Sequence, residues 1–269
     1  MNTPLRYALI GCGRIAPNHI AAYMNNRAEL TLCAVCDPVP ERMEAVLAPL
    51  TEDEKAQVRR YTDYHEMLAA EKPELCAIAT ESGKHAAIGM DVIAAGSNLI
   101  IEKPISLSIK DAKALIAAAA EKGVKLCACH QNRFNKSIQK IRSAVEENRF
   151  GKMLHGAAHI RWNRSLPYYQ QAPWRGTWEQ DGGALMNQCI HNIDLLRWMM
   201  GDEVTEVMAY TDNCATILSR LRIWAWRWCA LQAAPMASSK APPISTPTIW
   251  RKPSISSAPK APSRLAARA

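Results

Sequence analysis

Along the first half of the chain, short apolar runs alternate with segments in which apolar residues recur at helical spacing. Such alternation is typical of a parallel sheet whose strands are joined by crossover helices. The predicted strands are Arg6–Ile10, Leu30–Cys36, Leu75–Thr80, Asn98–Ile101 and Lys125–Cys129. The predicted helices include His19–Met24, Glu41–Leu47, Lys84–Ala95, Ile109–Glu121 and Ser137–Glu147. The pattern therefore predicts a doubly wound α/β domain.

The turn after the first predicted strand has the composition of a phosphate-binding loop. It reads Gly11-Cys-Gly13-Arg-Ile-Ala16 and leads into a helix. Gly11 permits a sharp turn, Gly13 lets a pyrophosphate approach the backbone, and Ala16 permits close packing of helix on strand. Asp37 ends the second strand, 24 residues after Gly13, where a carboxylate can bind ribose hydroxyls and repel a 2′-phosphate. We expect NAD rather than NADP; the alternative is a glycine turn and a solvated aspartate without a ligand.

Two further loops follow predicted strands, Thr80-Glu-Ser-Gly-Lys-His85 and Glu102-Lys103-Pro104. Ligands of open α/β sheets bind at the carboxyl ends of the strands. A residue before proline is held in an extended conformation. We therefore expect the Lys103 ammonium to point into a ligand cleft, with an ordinary surface lysine as the alternative.

The net charge of +8 is concentrated at the end of the chain. Residues 214–269 contain nine Lys or Arg and no Asp or Glu. Residues 1–213 therefore carry a net charge of −1, since +8 minus nine is −1. A nearly neutral body does not favour nucleic acid as a specific partner. The sequence also lacks a signal-peptide pattern and any apolar run long enough to cross a membrane. We expect a cytoplasmic protein.

The chain has nine cysteines, several of them within apolar strand-like runs. This placement is typical of reduced, buried side chains rather than of a disulfide framework. Cys33-x-x-Cys36 and Cys127-x-Cys129-His130 have spacings that occur in zinc sites, but each lies in a predicted strand without a second ligand pair. We expect no metal.

Four segments, "GCGRIAPNHI", "CDP", "IEKPIS" and "DGGALMNQCIHNIDLL", resemble in order and spacing the Gfo/Idh/MocA family of NAD(P)-dependent oxidoreductases. The likeness covers residues 5–213. It implies an NAD-binding Rossmann-type domain over residues 1–130 and the start of an α+β open-sheet substrate domain over residues 131–213. It also implies homo-oligomers, because family members commonly associate through that second sheet.

Within the family, "CHQNRFN" and "WRGTWEQDGGALMNQCIHNIDLLRWMMG" are most similar to the UDP-N-acetyl-2-amino-2-deoxyglucuronate dehydrogenases. These enzymes oxidise the sugar 3-hydroxyl on the way to bacterial O-antigen sugars of lipopolysaccharide. The likeness therefore implies a UDP-N-acetylglucosaminuronate-like nucleotide-sugar as the substrate.

The resemblance also assigns roles to single residues. It places Lys103 beside the nicotinamide and makes His191 the candidate general base, with an ordinary pKa of about 6.5. Asn187 stands where many members have Asp, so Lys103 and His191 must share the proton transfer. The implied cofactor-binding residues are Gly11, Gly13, Arg14, Ile15, Asp37, Thr80, His85, Glu102, Lys103 and Gln131. The implied substrate-binding residues are Arg161, Arg164, Tyr168, Arg175, Asn187 and Gln188, although helix packing or surface exposure explains any single Arg or Tyr equally well.

The second domain's sheet is expected to begin with a strand at residues 203–213, but the composition then changes sharply. Residues 214–269 hold four of the eight Trp and seven of the sixteen Pro. When the codons of this segment are read one base out of frame, they can encode strings that alternate like strands. For two residue pairs the result is forced by the genetic code: the codons of Trp224-Ala225 must give Gly and those of Trp228-Cys229 must give Val. We interpret it as the aberrant product of a single-base shift close to Asn213.

Three interpretations of function follow. The first is an NAD-dependent dehydrogenase acting on a sugar or nucleotide-sugar hydroxyl, with its substrate domain cut short and its turnover reduced or absent. The second is a non-catalytic NAD-binding module whose basic tail binds a partner. The third is an inert product of a damaged gene or of a sequencing error.

Overall fold

A computed structural model describes residues 3–160, 162, 164–201 and 203–209, and all of them belong to one compact unit. The out-of-frame interpretation of residues 214–269, like the predicted substrate contact Arg161, lies outside the described residues. The division into domains at residue 130 stays a prediction.

A six-stranded parallel sheet forms the centre of the fold. Its strands are β1 Leu5–Ile10, β2 Leu30–Cys36, β3 Arg59–Tyr61, β4 Leu75–Ile78, β5 Asn98–Ile101 and β6 Leu126–Ala128. They lie in the order β3-β2-β1-β4-β5-β6, so the chain reverses its direction of winding between β1 and β4. This sheet confirms the predicted Rossmann-type fold. The edge strand β3 was not predicted, because it has three residues, two of them arginines.

Helices join the strands and continue beyond them. They are α1 Ala16–Asn25, α2 Pro40–Leu47, α3 Glu52–Gln57, α4 Tyr64–Glu71, α5 His85–Ala94, α6 Ile109–Lys122, α7 Lys136–Glu146, α8 Leu166–Gln170, α9 Trp178–Asp181 and α10 Ile190–Met200. A 3₁₀ turn, Ser82–Lys84, precedes α5, and a π-helical segment, Leu185–Cys189, leads into α10. None of the described helices is long and apolar enough to cross a membrane.

The central strands are buried on both faces, which explains why their sequences read as continuous apolar runs. Along β1, Ala8 and Ile10 pack into the core on the side of α5 and α6, whereas Tyr7 and Leu9 pack into the core beneath α1 and α2. Each fully buried Leu or Ile contributes about 1.5–3 kcal/mol of apolar burial. The two cores therefore fix the register that brings the strand ends together.

The described cysteines are free thiols, and most of them lie in these two cores. Burial raises the pKa of Cys12, Cys36 and Cys76 to about 12 in each case. Cys127, by contrast, is exposed. The cysteines within the central strands therefore act as small apolar residues, as their sequence context indicates.

After β6 the described part of the chain contains helices but no strand. The prediction of a strand at residues 203–213 is wrong for residues 203–209, which adopt no regular structure; the remainder lies outside the described residues. Val207 and Met208 are 69% and 71% exposed. Since a strand is stabilised by pairing and by burial of one face, an alternating pattern without a paired neighbour does not form one.

Gly11 imposes the tightest backbone requirement at the strand ends. Its φ is +93°, and a Cβ there would lie 2.7 Å from the carbonyl carbon of Ala79, whereas a Cβ on Gly13 would meet nothing within 4 Å. We expect Gly11→Ala to lower the free energy of unfolding by about 2 kcal/mol or more. Gly13→Ala, the matched control, should change it by less than about 0.5 kcal/mol. Urea unfolding followed by circular dichroism measures both, and equal stability of the two variants would contradict the prediction.

Candidate active site

A cleft of about 1230 Å³ opens at the carboxyl ends of the strands and extends to the segments that follow α7. All predicted site residues within the described part of the chain line it. They are Gly11, Gly13, Arg14, Ile15, Asp37, Thr80, His85, Glu102, Lys103, Gln131, Arg164, Tyr168, Arg175, Asn187, Gln188 and His191. The structure thus brings together residues that are up to 180 positions apart, from Gly11 to His191.

The glycine turn forms one wall of this cleft. The Gly11 amide donates to the Cys36 carbonyl at 2.8 Å, which fixes the turn against β2. Gly13 faces open space, and the N-terminus of α1 has no side-chain cap. The amides of Ala16 and Asn18 already donate to the carbonyls of Gly13 and Ile15, so the positive end of the helix dipole is what α1 offers to a phosphate. These features fit the pyrophosphate of a dinucleotide.

Asp37 lies at the end of β2 and is buried. Its Oδ2 accepts a hydrogen bond from the Cys12 amide and its Oδ1 accepts one from the Val39 amide, both at 2.9 Å. Each carboxylate oxygen has a second lone pair, so Asp37 can still accept from ribose hydroxyls. The Arg42 guanidinium lies 3.7 Å from Oδ1 and also lines the cleft. The backbone amides thus orient the carboxylate before any ligand binds.

His85 lines the cleft, and its part in cofactor binding stays a prediction. Its Nδ1 lies 2.7 Å from the Pro104 carbonyl and its Nε2 lies 3.2 Å from the Thr80 carbonyl. Both ring nitrogens therefore face backbone oxygens, and burial lowers the pKa of the imidazole. We interpret His85 as the link between the two loops rather than as a hydrogen-bonding partner of the cofactor.

Glu102 has a partner that was not predicted. His19 on α1, which carries no functional context in the sequence, lies with its Nε2 3.1 Å from Glu102 Oε1. Together with Cys129 these side chains form a group of three possible metal donors within 4.8 Å of one another. Because His19 and Glu102 already satisfy each other, we interpret this group as a hydrogen-bonded support for the Glu102 loop.

The side chain of Lys103 crosses the cleft from the end of β5. Its Nζ donates to the Asn187 carbonyl at 2.8 Å and to Asn187 Oδ1 at 3.3 Å. Burial lowers the pKa of this ammonium, an effect that the nearby carboxylates of Glu102 and Asp181 oppose. Lys103 therefore lies in the cleft as predicted, and two of its N–H groups are oriented by one residue.

His191, near the start of α10, is buried, and its Nδ1 has no hydrogen-bond partner in the described structure. Burial lowers its pKa to about 4, assisted by the positive charge of Lys103 and by His130. The ordinary pKa expected from the sequence is therefore wrong. The imidazole is neutral at pH 7 and can accept a proton, but it is a weaker base than an exposed histidine.

Three guanidinium groups surround the ring of Tyr168 at the substrate side of the cleft. Those of Arg14, Arg164 and Arg175 lie 5.7, 5.0 and 4.7 Å from the ring centroid. Arg175 also donates to the Tyr168 hydroxyl at 2.9 Å, and Gln188 Nε2 lies 3.4 Å from the same oxygen. Like charges held this close favour an anionic ligand.

Sequence reasoning missed two aspartates that support the site. Asp194 accepts hydrogen bonds from Nε and from one terminal nitrogen of Arg133, which ties α10 to the segment after β6. Asp181 is only 2% exposed and accepts a hydrogen bond from Asn187. Both lie in the quoted segment "DGGALMNQCIHNIDLL", so the motif located them, but their partners are visible only in the folded chain.

The pKa of His191 provides a test of the site's electrostatics. Since the Lys103 charge lowers this pKa, we expect Lys103→Met to raise it, by up to about one unit, whereas the exposed Lys113→Met should not change it. The wild-type imidazole should titrate near pH 4. An NMR titration of the histidine rings measures the pKa of His191 in the wild-type chain, in Lys103→Met and in Lys113→Met. The His191 resonance is assigned from the His191→Gln variant. A wild-type pKa near the ordinary value of about 6.5 would contradict this description of the site.

Two family models match the chain. The oxidoreductase family model of Gfo/Idh/MocA with an NAD-binding Rossmann fold matches residues 5–130, and the model of the Gfo/Idh/MocA C-terminal domain matches residues 138–218. Among curated proteins, the chain is 23% identical to an inositol 2-dehydrogenase of Salmonella typhimurium, over 81% of this chain and 61% of that protein. It is 30% identical to a D-apiose dehydrogenase of Paraburkholderia graminis, over 77% of this chain and 52% of that protein. The chain thus spans between half and two thirds of these relatives.

Solved structures give higher identities. One is the WlbA dehydrogenase of Bordetella pertussis in complex with NADH and UDP-GlcNAcA. It is 37% identical to this chain with a TM-score of 0.74, and the match covers 82% of this chain and 66% of the WlbA chain. The WlbA dehydrogenase of Chromobacterium violaceum, with the same two ligands, is 32% identical with a TM-score of 0.74 and covers 83% and 66%. The family models, these structures and the cleft at the switch point of the sheet agree. The chain belongs to the Gfo/Idh/MocA family of NAD-binding oxidoreductases.

Proposed function

We propose that the chain is an NAD-dependent dehydrogenase that oxidises a hydroxyl of a nucleotide-sugar carrying a carboxylate, of the UDP-GlcNAcA class. One observation carries the proposal. The Lys103 ammonium and the neutral His191 imidazole share one cleft with the glycine turn and Asp37. An ammonium and a neutral base beside a hydride-acceptor site are what oxidation of a carbinol requires.

The residues divide the chemistry between them. When bound, NAD takes up the hydride. His191 is neutral and its unpartnered Nδ1 is a possible acceptor for the hydroxyl proton. Lys103 has three N–H groups; two point at Asn187, which leaves the third for the reacting oxygen. The positive charge of Lys103 then stabilises the negative charge that develops on that oxygen.

The charge of the cleft supports the nucleotide-sugar class. Arg175 is buried, and its Nε has no hydrogen-bond partner among the described residues. A carboxylate or a diphosphate would provide such a partner and would relieve the repulsion among the guanidinium groups around Tyr168. A hydroxyl of a neutral polyol such as inositol can also accept a hydrogen bond, but it would not relieve that repulsion. The two WlbA structures hold UDP-GlcNAcA, which has both kinds of anionic group.

Four further expectations accompany this function as predictions. The protein is expected in the cytoplasm, where its dinucleotide is found. Residues 131–213 are expected to form the start of the substrate domain, and full-length relatives are expected to be homo-oligomers. The position of the oxidised hydroxyl, the sugar 3-hydroxyl, follows from the resemblance.

Activity and cofactor binding separate the dehydrogenase from a non-catalytic NAD-binding module. We expect Lys103→Met and His191→Gln each to reduce NADH formation from UDP-GlcNAcA by at least about 100-fold. The NADH affinity of both variants, measured by fluorescence titration, should stay within about threefold of the wild-type affinity. Lys113→Met is the matched exposed control, and Gly13→Ala should weaken NADH binding about tenfold or more. NADH binding by the wild-type chain without turnover would favour the module.

The choice of substrate class rests on Arg175. We expect Arg175→Met to raise the KM for UDP-GlcNAcA by about 10-fold to 100-fold, which corresponds to the loss of one charge-assisted contact. The exposed Arg149→Met is the matched control and should leave KM unchanged. Steady-state kinetics with UDP-GlcNAcA and with myo-inositol provide the comparison. A preference for myo-inositol, or an unchanged KM in Arg175→Met, would contradict the nucleotide-sugar assignment.

A further inference from the structure

One buried carboxylate has no part in the chemistry described so far. Asp181, the last residue of α9, is 2% exposed and does not line the cleft. Its Oδ2 accepts a hydrogen bond from the Gly176 amide at 2.8 Å, and its Oδ1 accepts one from Asn187 Nδ2. Both carboxylate oxygens are thus held by N–H donors. A buried carboxylate is costly unless it is paired, so the identity of its partners indicates what it does.

The Asn187 side chain connects Asp181 to Lys103. Its amide nitrogen donates to the Asp181 carboxylate, and its Oδ1 lies 3.3 Å from Lys103 Nζ. Its backbone carbonyl accepts from the same Nζ at 2.8 Å. An amide has one donor end and one acceptor end, so this orientation suits a negative charge at residue 181 and a positive charge at residue 103.

We propose that Asp181 is a positioning residue for Lys103. Acting through the Asn187 amide, its carboxylate holds the Lys103 Nζ at the cleft and stabilises the ammonium form. The network then has the order carboxylate, amide, ammonium, with the amide dipole aligned between the two charges. This inference rests on the proposed role of Lys103 in the dehydrogenase.

The charges around Lys103 show why Asp181 is needed. Burial lowers the pKa of this lysine, and the nearby Arg175 and Arg164 lower it further. Glu102 and Asp181 are the carboxylates that oppose them. Without Asp181, Lys103 is left with one carboxylate against two guanidinium groups.

The remaining titratable groups do not replace Asp181. Glu102 is already hydrogen-bonded to His19, and His191 is neutral at pH 7 and adds no charge. Burial raises the pKa of Asp181, and its hydrogen bonds from Gly176 and Asn187 and the positive charges of Arg175 and Lys103 oppose this rise only in part. Each of the two buried charges therefore stabilises the other.

The shape-conserving variant Asp181→Asn removes the charge and disturbs the amide. If the oxygen of the new side chain accepts from the Gly176 amide, its NH2 group faces the NH2 group of Asn187. Asn187 must then turn its amide, which places a donor against Lys103. We therefore expect Asp181→Asn to lower the pKa of Lys103 by at least about one unit.

The double variant Asp181→Asn with Asn187→Asp exchanges the two side chains and preserves every hydrogen bond. The amide at position 181 accepts from Gly176 and donates to the new carboxylate, which faces Lys103 directly. We expect the pKa of Lys103 to return to its wild-type value or above. Because a carboxylate at position 187 attracts the ammonium directly, this recovery shows that the lowered pKa comes from a lost charge. The variant Asn187→Ala tests the amide itself, since it keeps Asp181 but should still lower the pKa of Lys103. The exposed Asp53→Asn serves as the control and should have no effect.

The pKa of Lys103 can be measured by NMR on the whole chain with lysine labelled with ¹³C at Cε, the resonance being assigned by its loss in Lys103→Met. An unchanged pKa in Asp181→Asn, or a lowered one in the double variant, would overturn the proposal. If Asp181→Asn does not fold, as judged by urea unfolding, Asn187→Ala decides, and an unchanged pKa of Lys103 in that variant would overturn the proposal. This readout needs no turnover.

Kinetics separate this inference from the proposed function. If the wild-type chain turns over UDP-GlcNAcA, Asp181→Asn should shift the pH profile of kcat/KM in the direction of the lowered Lys103 pKa, and the double variant should reverse the shift. Suppose that the wild-type chain shows no turnover with any sugar, while the pKa of Lys103 changes in the variants as expected. The proposed function is then wrong, but the role of Asp181 in positioning Lys103 is supported.

Discussion

The site depends on one geometric constraint, the parallel direction of the six strands. Because all of them end at the same edge of the sheet, the residues that follow β1, β2, β4 and β5 meet in one place without being close in sequence. The reversal of strand order between β1 and β4 opens the crevice there. The glycine turn, Asp37 and the Glu102–Lys103 loop therefore converge as a consequence of topology, and the segments around Tyr168 and His191 close the other side.

How much the sequence revealed follows from the physics of each element. The central strands and their helices were predicted to within a few residues, since apolar runs buried on two faces are unambiguous in an α/β pattern. The strand β3 was missed because its three residues carry no apolar run. Residues 203–209 show the opposite error, in which an alternating pattern exists but the structure has no strand. Whether such a segment forms a strand depends on a neighbouring strand with which it can pair, and a local pattern contains no information about that neighbour.

In the site, too, some features were predictable from the sequence and others were not. Motifs identified the residues that line the cleft, but not the interactions among their side chains. The low pKa of His191 arises from burial beside Lys103, and the hydrogen bonds of His85 arise from two carbonyls in separate loops. His19 and Asp181 lie within the quoted motifs, but their contacts with Glu102 and Asn187 are visible only in the folded chain. Spacing along a chain indicates which residues meet, whereas charge and burial determine what they do.

The two hydrogen bonds from Lys103 to Asn187 have a mechanical meaning as well as a chemical one. They join the end of β5 to the segment before α10, so the Lys103 ammonium is itself part of the connection between the two sides of the cleft. A change that separates the two sides of the cleft would therefore also remove two hydrogen bonds from the ammonium.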